Sequence, residues 1–311
     1  MNVEVVLTAL LTAAMAGSIP LMLAAVGEAI GERAGLLNLG IEGVILVSGL
    51  AAFWLVLETQ SLGLGLACGA VTGLICGLGF GVLATRGRAD QIVLGLGMTM
   101  AGLGGTAFVF REVWGSQQPL LSIRSWRPLD SLLDWIPVIG PALGQQRWPV
   151  FAAWFLVIGL SSAIRRSKFG LQMRAAGEFP LGLEASGASV EGVRIAAAAL
   201  AGTLSGLGGA YLTTVELGFF SPGVSVGTGF MAVAVAMLGQ RNLLRVALFS
   251  LGFGMLTGLD TALQLANVDA RPEFLRMIPY FAIVLTLVLL GRDAKSPAAL
   301  GQVYRGLAGR R

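Results

Sequence analysis

The sequence predicts an all-α polytopic membrane protein, and three observations carry that prediction. Of the 311 residues, 55% are hydrophobic and only 12% are charged, against about 25% in an ordinary soluble domain; the mean hydropathy is +0.80. Apolar runs of about 20 residues, the length that crosses the hydrocarbon core of a bilayer, recur along almost the whole chain. Glycine, 45 residues in all, is spaced at helical intervals inside those runs.

Taken in order, the runs give nine spans: 5–27, 38–57, 62–84, 91–110, 149–164, 195–215, 227–240, 245–264 and 276–291. Glu4 and the lack of Lys or Arg before the first run argue for a retained helix rather than a signal peptide. Ser18 and Pro20 mark a place where that helix would break in two. The seventh run is short and reads as tilted, re-entrant or buried among the others. Lys and Arg set the orientation. With the C-terminus in the cytoplasm, fifteen of the 21 basic residues fall on the inside, and six (Arg111, Arg124, Arg127, Arg147, Arg271 and Arg276) fall outside. The chain is therefore read as N-out, C-in, one transmembrane domain over 1–311. Residues 111–148 form an extracytoplasmic loop in which Trp114, Trp126 and Trp148 suit headgroup depth.

Gly65, Gly69, Gly73, Gly77 and Gly81 recur every fourth residue in the third span, and Ala198, Gly202, Gly206 and Ala210 do so in the sixth. Gly254 and Gly258 form a shorter pair. Such stripes let helix backbones approach closely in lipid. They indicate a compact bundle; a gliding surface used in gating is the functional alternative.

The polar residues inside this apolar background need a reason. Residues 28–43 place Glu28, Glu32, Arg33, Asn38 and Glu42 between two apolar runs, interrupted by Gly31, Gly35, Gly40 and Gly43. A charge such as Glu42 within a span costs roughly 2.5–3.5 kcal/mol on insertion scales and by default faces the protein interior. Irregular backbone at membrane depth is tolerated where it is buried in protein or lines a cavity. Two readings stand: a structural network in which Glu32 or Glu42 pairs with Arg33, or direct lining of a substrate path by Glu32, Asn38, Glu42 and Thr99. Thr99 is also explained by a hydroxyl bonded to its own helix. Gln91 and Gln264 lie within or near spans, and Asp260 and Asn267 lie close to a predicted outer edge, where solvation explains them.

The cytoplasmic segment 165–194 is too polar to span and too patterned for a plain linker. Pro180 suits a first helical turn and Gly187 suits a helix stop. A short helix there would present Phe179, Leu181 and Leu183 to a partner, or lie on the surface as a connector.

Several chemistries are excluded. The chain has no histidine, so imidazole ligands and serine–histidine triads are impossible. Cys68 and Cys76 both sit in an apolar run, which argues against a disulfide or a thiolate metal site. Neither Lys168 nor Lys295 follows the glycines of a phosphate-binding loop. No metal or cofactor is expected, the basic balance reflects membrane topology rather than nucleic acid, and an enzyme is improbable. A transporter, or one subunit of one, is the natural reading.

The run Gly31-Glu32-Arg33-Ala34-Gly35-Leu36-Leu37-Asn38-Leu39-Gly40-Ile41-Glu42-Gly43 resembles a signature of the nucleoside-type permease subunits of ABC importers, in the larger group that also moves ribose-like sugars and branched-chain amino acids. Ile136-Pro137-Val138-Ile139-Gly140-Pro141 is similar to the family's outer loop, Arg174-Ala175-Ala176-Gly177-Glu178-Phe179-Pro180 to its cytoplasmic coupling segment, and residues 201–210 to the helix that follows. The sequence departs from the pattern where the family commonly has Asn in place of Phe179, and small residues in place of Gly182 and Leu183. It departs again after Leu238-Gly239, where Gln240-Arg241-Asn242 replaces a common Arg-Pro-Gly. The resemblance implies a multi-pass subunit of the bacterial inner membrane that forms half of a translocation pathway. Its implied partners are an ATP-binding cassette ATPase, a second and related permease chain, and an extracytoplasmic substrate-binding protein. It also implies a coupling helix containing Glu178, Phe179, Pro180, Leu181, Leu183 and Gly187. Permeases for sugars or branched-chain amino acids are the alternatives within the family. Outside it stand an ion-coupled secondary transporter using Glu42, and a channel or membrane scaffold.

Overall fold

The computed structural model describes residues 3–122, 126–129, 133, 135–225, 227–265, 272–290 and 297–304. Asn267 lies outside them, as do the side chains of Asp260 and Gln264. The described residues contain helices and no strand: α1 (Val3–Arg33), α2 (Ile41–Thr59), α3 (Leu62–Thr85), α4 (Gln91–Trp114), α5 (Ile139–Gly144), α6 (Trp148–Arg166), α7 (Lys168–Glu178), α8 (Pro180–Ala185), α9 (Val190–Tyr211), α10 (Thr228–Leu238), α11 (Leu243–Leu265) and α12 (Pro272–Leu290). A π-helical turn, Leu212–Glu216, continues α9. Six helices (α1, α2, α3, α4, α6 and α9 with its π turn) are long and apolar enough to cross a membrane, and three shorter apolar stretches lie at 228–238, 243–259 and 277–286.

Local chemistry fixes the ends. Ser61 accepts from the Leu64 amide, Asp90 from those of Ile92 and Val93, Ser167 from Gly170 and Ser189 from Gly192. Each satisfies an amide that an N-terminal turn leaves without an intrahelical partner. The expected break at Pro20 does not occur: α1 runs unbroken through it. Pro20 removes one backbone bond, but surrounding helices relieve such a loss in a membrane bundle, and the Pro20 carbonyl lies against Gly208 of α9. The break comes instead after Arg33, where Gly35 takes φ +84° and the chain turns before α2 starts at Ile41. Asn38 is thus outside α2 rather than at its start. Trp114 belongs to α4 rather than to a loop, and packs among Phe53, Trp54 and Phe110 with ring centroids 5.2–6.0 Å away.

α1 and α9 form the centre. From Ser18 to Glu32 every residue of α1 is buried, and α9 is buried over most of its length. α1 packs on α9, α10 and α11; α2 packs on α3, α4 and α9. A β-carbon on Gly73 would run into the carbonyl of Gly202, and one on Gly77 into that of Ala198; Gly202 and Gly206 meet the backbone of α3 in return. Gly69 faces Ala210, Gly81 faces Ala198 and Ile195, and Gly65 meets Val56 of α2. The α11 pair Gly254 and Gly258 lies against Ala14 and Leu10 of α1. The other faces of α3, α4 and α6 expose Ile75, Val93, Met100 and Phe155, side chains suited to acyl chains and not to water.

Candidate functional site

The break between α1 and α2 is a buried polar junction. Glu28, on the last turns of α1, accepts the amide of Asn38 at 2.9 Å. The Asn38 side chain turns back on its own segment and accepts the Gly40 amide at 2.8 Å. Gln91 at the start of α4 accepts the Leu37 amide at 2.8 Å. Thr99, one helical face further along α4, donates to the Leu39 carbonyl at 2.9 Å. Thr99 therefore bonds across to the break, not within its own helix. The close approach this requires is made by glycines: Gly95 lies against the Leu39 and Gly40 amides, and Gly43 and Gly102 face each other across α2 and α4.

Glu42 holds a second break. Between the π turn and α10, residues 217–225 and 227 run without regular helix. One Glu42 oxygen accepts from the Ser225 hydroxyl and from the Gly227 amide at 2.9 Å; the other accepts the Gly229 amide at 2.6 Å. A carboxylate of α2 thus sits on the N-terminus of α10, where the helix dipole favours negative charge. The residue is 4% exposed, and its charge is satisfied by three donors. Neither Glu32 nor Glu42 pairs with Arg33, whose guanidinium donates to the Arg241 carbonyl. Glu32 is buried, with one oxygen unpartnered among the described residues.

The segment that follows α6 is also built as its residues suggest. Pro180 opens α8, Gly187 with φ +85° closes it, and Phe179 forms the corner between α7 and α8. Phe179 is 65% exposed and its ring covers Gly182. Leu183, in contrast, is 5% exposed and joins the main core, so of the three apolar residues it is the one turned inward. Glu178 pairs with Arg241 on the α10–α11 turn. A cleft of about 320 Å³ separates Phe179, Pro180 and Leu181 from residues 298–304.

Residue-type reasoning missed the group that ties this end together. Arg194 of α9 reads as one more basic residue near a helix end, yet it is 1% exposed. It donates to the carbonyls of Ala34 and Gln302 at 3.1 Å, Ala176 at 3.4 Å and Ala299 at 3.5 Å, with its guanidinium carbon 5.8 Å from the Tyr304 ring centre. One side chain therefore joins the α1 break, α7 and residues 299–304. Glu28 was visible as one of three carboxylates in the polar run, but its partner, a main-chain amide, carries no sequence signal. Among the described residues no group of histidine, cysteine or carboxylates could hold a metal.

The chain thus has two non-helical breaks held by buried polar groups and a short, half-buried helix, α8, between α7 and α9. Residues 10–291 match the family described as the branched-chain amino acid transport system permease component. The chain belongs to this permease family. Among similar proteins is a nucleoside ABC transporter permease of Lactococcus lactis, 29% identical over 317 residues that cover 98% of this chain and 99% of that one. A guanosine ABC transporter permease of Bacillus subtilis is 28% identical over 332 residues, 98% of each chain. An L-arabinose ABC transporter permease of Azospirillum brasilense is 27% identical over 263 residues, 82% of this chain and 71% of that one. No solved structure matches. The family is one of permease subunits, which are membrane components rather than catalysts, and this chain is a multi-pass membrane protein with several apolar helices of membrane-crossing length.

Proposed function

We propose that this permease is the membrane-spanning subunit of an ABC importer for nucleosides. The observation that carries the reading is the end-to-end similarity to the nucleoside and guanosine permeases, which leaves no large part of either chain unmatched. The sugar alternative rests on a putative glucose ABC transporter permease of Haloferax volcanii, 28% identical over 323 residues that cover 95% of this chain and 97% of that one, and on the arabinose permease, matched over less of its length; two of these three end-to-end relatives are nucleoside permeases. In this reading the chain crosses the inner membrane nine times, the three shorter apolar stretches completing the six long ones, with the N-terminus outside and the C-terminus in the cytoplasm. It forms half of the pathway with a related second permease, receives substrate from an extracytoplasmic binding protein, and is driven by an ATPase of its own.

The coupling element is α8. Phe179 and Leu181 enter a groove of the ATPase, and Leu183 anchors the helix from beneath. Glu178, through Arg241, passes displacement of α7 to the α10–α11 turn. Glu32, Asn38, Glu42 and Thr99 brace the two breaks around which the pathway opens; Asn38, Thr99 and Glu42 bond to the chain's own backbone, Glu42 also to the Ser225 hydroxyl, and one buried oxygen of Glu32 has no hydrogen-bond partner among the described residues. The stripe from Gly65 to Gly81 against Gly202 and Gly206 keeps α3 and α9 together as one moving unit.

The test is uptake by the reconstituted complex with its binding protein. Labelled guanosine and uridine are expected to accumulate only with ATP, and labelled arabinose and leucine not at all. Accumulation of arabinose or leucine in place of nucleosides contradicts the substrate assignment; gradient-driven uptake without an ATPase contradicts the class.

A further inference from the structure

Where α1 and α6 end, a cleft of about 530 Å³ is lined by four arginines from four separate elements: Arg33 of α1, Arg165 of α6, Arg174 of α7 and Arg241 of the α10–α11 turn. Guanidinium groups stay protonated throughout the physiological range, so this convergence is electrostatically costly unless negative charge enters. The cleft supplies little. Among the described residues Glu178 is the one carboxylate that lines it, and it pairs with Arg241, on which the buried Glu32 carboxylate also acts electrostatically. Arg165 donates to the neutral Asn242 amide at 2.9 Å. Arg33 donates to a carbonyl. Arg174 has no hydrogen-bond or ion-pair partner among the described residues. The turn that brings Arg241 here places two consecutive non-glycine residues in left-handed backbone, Gln240 at φ 47° and Arg241 at φ 64°, a conformation that persists only where surrounding structure enforces it.

We propose that this cleft binds a phosphate group, as free phosphate or as the headgroup of an anionic phospholipid. Planar guanidinium forks match phosphate oxygens two at a time. A concave cleft of this size suits a compact anion with part of its headgroup, and two of its walls are the ends of α1 and α6, helices long and apolar enough to cross a membrane. Because the four arginines belong to α1, α6, α7 and the α10–α11 turn, the bound anion would fasten together elements that the proposed coupling motion displaces. The anion site itself does not depend on the transport assignment.

The purified full-length chain is titrated with inorganic phosphate by thermal shift at matched chloride, and its retained lipid is read by native mass spectrometry. The lipid arm compares nanodiscs of phosphatidylcholine alone with nanodiscs containing phosphatidylglycerol. Arg165 and Arg174 are exposed, so Arg165→Gln/Arg174→Gln folds, as its unliganded melting temperature checks. The double variant should lose roughly tenfold or more in affinity for whichever ligand binds. Arg166→Gln removes the same charge one position away, outside the cleft, and should stay close to wild type. Phosphate binding without lipid retention assigns free phosphate; retention of phosphatidylglycerol assigns the headgroup. The proposal is overturned if neither ligand binds the wild-type chain, if the double variant binds as wild type, or if Arg166→Gln weakens binding as much. It is also overturned if, in the assembled transporter, acidic side chains of a partner chain fill the cleft with no anion present.

Discussion

The two charged regions of this permease handle charge in opposite ways. At the α1–α2 and π turn–α10 breaks, acidic groups enter the interior and meet main-chain amides: Glu28 meets Asn38, and Glu42 meets Gly227 and Gly229. At the other end, basic groups converge and outnumber the carboxylates among them. Most donors and acceptors of the first region are matched from within, the buried exceptions among the described residues being one Glu32 oxygen and the Gln91 side-chain nitrogen. The second keeps unused donors. A membrane protein pays heavily for unmatched charge only where water is excluded, so the buried region had to be completed from within, by breaking helices to expose amides. The helix-end region is left to be completed by something that arrives.

Removing the central acceptor breaks that contrast most severely. Glu42→Ala should strand two buried amides at roughly 1–3 kcal/mol each, a combined loss of about 2–6 kcal/mol. Reversible unfolding in mixed micelles measures it, and Glu42→Gln, which keeps an acceptor, should lose less. Equal stability of Glu42→Ala and wild type would show that the carboxylate does not hold α10. The next effect concerns packing. Gly73→Ala would push a β-carbon into the Gly202 carbonyl and should cost roughly 1–3 kcal/mol. Gly79→Ala, on the same helix with open space around it, should cost nothing and gain up to about 1 kcal/mol from helix propensity. Similar melting temperatures for the two would remove the close α3–α9 contact from the account. Smallest is Thr99→Val, which gives up one bond to the Leu39 carbonyl and should cost about 1 kcal/mol; an unchanged melting temperature would mean that water serves that carbonyl.

Much of this was legible in the residues, unevenly. The six long apolar helices follow from apolar length, and the α3–α9 contact from glycines at every fourth position. Both are properties of side chains or of their absence. Pro180 and Gly187 also mark α8, because proline fixes φ for a first helical turn and glycine takes the positive φ of a helix stop without strain. Glu42 was recognisable as a charge needing a reason, but its partners are amides about 185 residues further along, and an amide looks the same at every position. The same blindness hid Arg194, whose ligands are carbonyls. Pro20 misled because its cost was judged for an isolated helix, whereas α1 is enclosed by neighbours. Leu183 could not be told from Phe179 and Leu181 by type; only the packing of α8 against the core turns it inward.

The central claim is that this permease is driven through α8 by a separate ATPase. The direct measurement is ATP hydrolysis by the reconstituted complex, with and without substrate-loaded binding protein, for wild type and Phe179→Asp/Leu181→Asp. Phe179 is exposed and Leu181 is half-buried at the cleft beside α8, so membrane insertion should survive, as quantified by the amount of chain recovered in the membrane fraction. The account predicts that wild-type hydrolysis rises with loaded binding protein and that this stimulation is lost in the double variant. Stimulation that persists at the wild-type level in the double variant would contradict it.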